Sequence, residues 1–405
     1  MSEQKQLRTY AEINARIESK TVSVLTAEEF KAKVASEGLA KAAKDVDVVT
    51  TGTFGAMCSS GVMLNFGHSD PPIKMQKVWL DDIPSYTGLA AVDAYLGATE
   101  LDDSLNMYHG GAHVIEDLVR GKPVRLRAIS YGTDCYPKRD IDTWISIKTL
   151  NQAVMFNPRN CYQNYATATN GSSRMIYTYM GKLLPEFGNA TYCSAGEISP
   201  LLNDPYFRTI GIGTRIFLGG AQGYVAWEGT QFNGKPPRSA NGTPRRPAGT
   251  LAVIGDLKKM SADYIRAMTL HKYGTSLSVG IGIPIPILDQ EMAKYCAVRD
   301  SEIFTGAFDY SEPKRSRTVL REVNYAELKS GQIEIKGKKI PTSSLSSIYK
   351  ARQISSELKK WISKGQFLIQ EPIQKFDLDR EFKPLEVGRR RRCADEDEVC
   401  AHLPP

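Results

Sequence analysis

The chain has 405 residues, 52 Lys and Arg against 45 Asp and Glu, 41% hydrophobic residues and seven cysteines. That size suits one large domain with an appendage, or two to three domains, and the ordinary composition excludes a fibrous or disordered chain. The cysteines are too sparse and odd in number for a disulfide framework, and the most apolar stretch, 280–288, is broken by Gly and Pro and too short to span a bilayer. With a polar, charged start and no apolar signal core behind it, the chain reads as cytoplasmic, where thiols stay reduced.

In chain order, 7–20 reads as a polar helix, and Thr26 with Glu29 has capping-box spacing ahead of a second helix to residue 44. Residues 45–51 read as a strand that leads into a glycine-rich loop, 52–61. A short helix is expected over 112–120. A strand at 124–130 opens into a second loop, 131–137, and another strand follows over 141–148. The middle, 171–230, is rich in Gly and short apolar runs, as several strands with tight turns would be. Residues 233–249, rich in Pro, Gly and Arg with a local charge of +4, read as an exposed loop. Then come a strand at 251–254, a helix at 261–270, a strand at 275–283 and a helix at 289–297. Last are a hairpin around Gly337 and a capped amphipathic helix over 343–364. This order favours an α/β fold: a mixed-sheet α/β core with a β-rich middle region and a small α+β C-terminal part.

The charged stretch at 312–317 suggests a boundary near 310–318. It divides a catalytic-sized core, 1–310, from a small C-terminal part, 311–387, packed on it. Residues 388–405 set Arg389–Arg392 against Asp395–Glu398 with few apolar residues, a disordered composition. The three parts carry +1, +6 and 0, so the basic excess is C-terminal. It suits an acidic protein partner. Nucleic acid is not expected, because aromatics and basics are not interleaved.

Cys58 and Cys135 each follow a predicted strand, in a loop with Gly and hydroxyl residues. Backbone amides of such loops favour a thiolate, the nucleophilic form, and Lys138 and Arg139 behind Cys135 would add to this. The plain alternative is a small buried hydrophobe. Cys161 has polar neighbours but reads first as core, as do Cys193 and Cys296. With no CxxC, neither a zinc ribbon nor an intrinsic iron–sulfur cluster is expected. His109 and His113 are spaced i,i+4 but lack the metalloprotease glutamate, so no metal is assigned. An acid/base role for one imidazole, or a structural one, remains. The glycine fragments at 211–213 and 219–223 lack the full GxGxxG and read as tight turns.

Three segments taken together, Thr51-Gly-Thr-Phe-Gly-Ala-Met-Cys-Ser-Ser-Gly61, Tyr131-Gly-Thr-Asp-Cys-Tyr-Pro-Lys-Arg139 and residues 211–224, resemble the homocysteine biosynthesis family over roughly 10–385. The resemblance implies sulfur insertion into L-aspartate semialdehyde to form L-homocysteine. It carries functional cysteines onto Cys58 and Cys135 alone. It also implies a separate small iron–sulfur protein of ferredoxin type as electron donor, with no cofactor bound intrinsically. Members commonly carry a C-terminal pair of CBS domains; this sequence shows no such pair, so adenosyl regulation is not expected.

Adding sulfide to an aldehyde and losing water gives a thioaldehyde, and reaching the thiol then takes two electrons and two protons. Two thiols supply these by ending as a disulfide. Cys135 is therefore read as the persulfide carrier and Cys58 as its partner, in either order. An amino-acid substrate calls for an Arg fork and a carboxylate; Arg139, Arg159, Arg174 and Asp134 are candidates, with His109 or His113 to protonate the leaving hydroxyl. The competing readings are a persulfide or sulfide carrier without turnover, a cysteine-nucleophile hydrolase, and a plain binding module. A membrane role is not expected, and a homo-oligomer is compatible with the sequence.

Overall fold

A computed structural model describes residues 7–380 together with Lys383 and Leu385. The segment 388–405, with Cys393 and Cys400, lies outside the described residues. The scaffold is a nine-stranded sheet whose pairings are all antiparallel. Its order is Ile265–Leu270, Gly274–Gly282, Arg215–Leu218, Ala221–Glu228, Leu251–Asp256, Gln152–Asn160, Gly61–Asn65, Asp93–Gly97. Thr53–Ala56 branches from it by pairing with Gly274–Gly282. All nine residues of Gly274–Gly282 are buried, with the helices Gly111–Val119 and Ile348–Ser363 packed on that strand.

Parallel pairing occurs elsewhere. Val24–Thr26 lies parallel to Val48–Thr50 in a three-stranded sheet, and two parallel pairs join antiparallel ones in a six-stranded sheet. The α/β class and its mixed sheets match the reading of the sequence. The expected boundary near 310–318 does not separate two units. It is the connection of a hairpin, Phe304–Asp309 to Val319–Asn324, inside the six-stranded sheet. Lys338–Ser344 pairs with Ala190–Tyr192, and Ile348–Ser363 lies on the large sheet. The described part of this stretch, 311–380, is thus woven into the core through its strand pairings and the helix on the large sheet.

Three local expectations are corrected. The helix expected to run to residue 44 breaks at Gly38 (φ 84°) into Ala27–Glu37 and Leu39–Asp45. Residues 261–270 yield the strand Ile265–Leu270, whose ladder with the buried strand Gly274–Gly282 outweighs the propensity of a short helix. The basic loop 233–249 is largely spent internally. The Arg238 guanidinium donates to the carbonyls of Pro205 (3.0 Å) and Gly242 (2.9 Å), while Arg245 and Arg246 both engage Glu322.

The segment that carries Cys58 is held by the C-terminal helix. A Cβ on Gly52 would fall on the Ala351 carbonyl, and one on Gly55 would lie 2.6 Å from Ser346 Oγ. The Thr50 hydroxyl donates to the Ser355 carbonyl at 2.9 Å, and the Ser347 amide donates to the Phe54 carbonyl at 2.8 Å. Glycine at 52 is therefore a packing requirement. Gly52→Ala should destabilise the fold by about 1–3 kcal/mol, the usual cost of overpacking, measured by denaturant unfolding.

Candidate active site

Half of the predicted glycine-rich loop is strand Thr53–Ala56, and the strand Gly61–Asn65 follows, leaving Cys58 in the tight turn 57–60. The Ser60 amide closes the turn on the Met57 carbonyl at 3.0 Å, and the Met57 amide donates to the Leu277 carbonyl at 2.8 Å. The Ser59 hydroxyl lies 2.7 Å from the Arg159 carbonyl, Asn157 Nδ2 donates to Ser60 Oγ at 2.8 Å, and Ser276 Oγ donates to Cys58 Sγ at 3.3 Å. The turn is thus pinned to both neighbouring strands, and its sulfur is half-buried.

Cys58 opens onto a cavity of about 1020 Å³. Cys161 and Cys193 share its wall with five tyrosines, Tyr162, Tyr165, Tyr179, Tyr273 and Tyr310. Its cations are Arg159, Lys235, Arg315, Arg317 and Arg380; among the described lining residues there is no Asp or Glu. Lys235 meets Asp379 at 3.0 Å and Arg380 pairs with Glu228, both acids lying off the wall. The Nε atoms of Arg159 and Arg317 are buried without a hydrogen-bond partner, and the Arg317 guanidinium lies over the Tyr310 ring at 4.2 Å. A smaller space of about 310 Å³ meets the first at Cys58, Ser59, Arg159 and Tyr273 and extends to Thr99 and Thr275.

Burial dominates the titration of this wall. It pushes the Tyr162 phenol up to about 12, with Arg159 opposing and Cys193 and Cys58 adding. The Cys193 thiol is pushed up to about 12 by burial first and then by charge on Cys58, and Cys161 rises to about 12 by burial. The Tyr165 hydroxyl donates to Tyr179 at 3.1 Å, and the Tyr179 and Tyr310 hydroxyls are 3.2 Å apart; burial above all pushes the Tyr165 and Tyr310 phenols up. Such a wall donates protons and binds anions.

Of the eight residues singled out from the sequence, Cys58 and Arg159 line this cavity. Cys135 is exposed, in the turn between Val124–Ile129 and Asp140–Ile145, with Tyr136 stacked on His68 at 5.8 Å. Cys58 sits just before strand Gly61–Asn65, and His68, which stacks on Tyr136, just after it. Cys135 is not among the described residues that line the cavity onto which Cys58 opens, so the two thiols do not share that wall. Asp134 and Arg139 are exposed on the Cys135 loop, and Arg174 is exposed ahead of strand Ile176–Thr178; none lines the cavity. His109 and His113 sit at the start of helix Gly111–Val119 with ring centroids 5.3 Å apart, also off the wall.

The reading of the sequence missed Cys193 and the tyrosines. Cys193 follows an ordinary short strand, Ala190–Tyr192, and the phenols come from segments scattered between 162 and 310, so no local pattern marks them.

Cys135 should alkylate with a maleimide before Cys58 or Cys193, read by peptide mapping at short times; the reverse order would contradict this exposure. The His113 imidazole is held below the usual 6.5 by burial first and then by His109. Folding therefore resists its protonation: stability is full above that pH and falls as the pH drops through it. Between about pH 7 and about pH 5, His113→Gln should lose less stability than the parent in thermal unfolding.

Residues 22–369 match the family model described as homocysteine biosynthesis enzyme, sulfur-incorporation. A protein of Methanosarcina acetivorans named L-aspartate semialdehyde sulfurtransferase is 54% identical over 374 residues, covering 92% of this chain and 73% of that protein. A protein of the same name from Methanocaldococcus jannaschii is 50% identical over 382 residues, covering 91% of this chain and 73% of its own length. No solved structure matches the chain. The family match spans both cysteine loops and every strand of the Cys58 cavity, and on that extent the chain belongs to the homocysteine biosynthesis family of sulfur-incorporating enzymes.

Proposed function

We propose that the protein is an L-aspartate semialdehyde sulfurtransferase: aldehyde, hydrogen sulfide, two electrons and two protons give L-homocysteine and water. The observation that carries this reading is that Cys58, on a motif that resembles the family's, opens onto a large cavity rich in phenols and arginine, with no carboxylate among the described lining residues. The relatives bearing that name align over more than nine-tenths of the chain.

Arg159 beside Cys58 takes the substrate carboxylate, with its buried Nε awaiting a partner. The expected carboxylate for the substrate ammonium is replaced by phenol oxygens and ring faces, which attract cations through the ring quadrupole. Tyr162, protonated at neutral pH, gives its proton to the hydroxyl that leaves as water. The imidazoles of His109 and His113, off the wall, do not take this role.

Cys135 is the thiol an outside sulfur donor reaches, and it carries the persulfide. Two electrons and two protons release the outer sulfur as hydrogen sulfide and restore the thiol. The electron donor in this reading is a separate acidic iron–sulfur protein, and the enzyme works in the cytoplasm. The +6 charge of 311–387 supports such docking: Lys314 and Arg315 are exposed, and Arg315 and Arg317 reach the cavity wall.

Cys58→Ser should abolish homocysteine formation from semialdehyde, sulfide and a reductant. Cys135→Ser should lose activity with a persulfide donor and keep it with free sulfide. Full activity of Cys58→Ser would overturn the assignment. Reversing charge at Lys314 should weaken coupling to an acidic iron–sulfur donor, as should raised salt, while activity with a small chemical reductant stays unchanged.

A further inference from the structure

We propose that Cys193 is the second redox thiol of the active site, forming a transient disulfide with Cys58 in each turnover. This deepens the sulfurtransferase reading and rests on it.

Cys58 and Cys193 line one cavity, whereas Cys135 is not among its described lining residues. The backbones that carry the two cavity thiols meet through one side chain. Ser346 Oγ donates to the Cys193 carbonyl at 2.6 Å, and the same oxygen packs on Gly55, where a Cβ would lie 2.6 Å away. Gly55 is three residues before Cys58, on the strand that feeds its turn. The charge of Cys58 is also felt at Cys193. Cys161, the third thiol of the wall, is a weaker candidate: it is 2% exposed and sits at a left-handed φ of 54°, which fixes its backbone. Cys193 is half-buried and faces the shared space.

The chemistry balances with these two sulfurs. Sulfide adds to the C4 aldehyde, and water leaves to give the thioaldehyde. The Cys58 sulfur bonds to the thioaldehyde sulfur while the π pair takes a proton at C4, giving a mixed disulfide between Cys58 and homocysteine. The Cys193 sulfur attacks Cys58, and its proton passes to the departing homocysteine sulfur. The thioaldehyde is reduced by two electrons, and the two cysteines are oxidised to a disulfide. An external two-electron donor, an iron–sulfur protein in the cell or a dithiol in the test tube, then restores both thiols.

The test is a single turnover. Pre-reduced protein, freed of reductant, is mixed with semialdehyde and sulfide. Homocysteine, free thiols and disulfide-linked peptides are then measured. The parent should make one homocysteine per chain, lose two free thiols and yield a peptide joining Cys58 to Cys193. Cys193→Ser and Cys193→Ala should make none, and Cys161→Ser should match the parent; thermal unfolding checks that each variant is folded. Parent protein that makes homocysteine without the Cys58–Cys193 peptide, or a Cys193 variant that still delivers one equivalent, overturns the pairing alone. Parent protein that makes no homocysteine under turnover conditions with a dithiol overturns the functional reading, and the pairing with it.

Discussion

The site depends on one close contact, the seating of the C-terminal segment on the glycines that precede Cys58. Gly52 and Gly55 present bare backbone to Ala351 and Ser346, and no side chain fits at either place. Through it the strand Thr53–Ala56 is clamped between helix Ile348–Ser363 and the buried strand Gly274–Gly282. Gly280 and Gly282 extend the same arrangement, each facing Ile354 of that helix. A turn at the end of such a strand has little freedom, so the Cys58 sulfur is held at a set place on the cavity wall. The residues that fix it come from 50–60, 157–159, 276–278 and 346–355, which explains why the C-terminal part cannot be a detachable module.

The cavity's electrostatics follow from what it lacks. Without a carboxylate among the described lining residues, Arg159 and Arg317, each with a buried Nε that lacks a hydrogen-bond partner, act on whatever enters. Phenols supply the polar remainder. Burial pushes Tyr162, Tyr165 and Tyr310 up, so these phenols offer hydrogen-bond donors without adding negative charge. An anionic sulfur species, a substrate carboxylate and a departing hydroxide equivalent are the groups such a wall favours.

In the proposed reading the two loop cysteines divide the labour. An exposed thiol on a hairpin meets donors, and a half-buried thiol meets the aldehyde away from bulk water. Water exclusion matters in that reading because a thioaldehyde hydrolyses readily. Sulfur that passes between the two places travels as a small molecule, which removes any need for the loops to touch.

Much of the outline was legible in the residues. The capping box at Thr26, the strand before Cys58, the hairpin at Gly337 and the amphipathic final helix all rest on local chemistry, and they stand. The Cys58 and Cys135 motifs and the family they indicate were legible for the same reason: contiguous residues carry them. What failed was set by distant partners. Residues 261–270 became a strand because a buried neighbour offered a ladder, and the basic loop 233–249 folded inward because carbonyls and Glu322 awaited it. The sequence by itself determined which cysteine loops exist and which family they belong to. Only the tertiary structure decided that Cys58 shares its cavity with Cys193 and not with Cys135, since strand order and crossing helices, not spacing along the chain, determine which side chains meet.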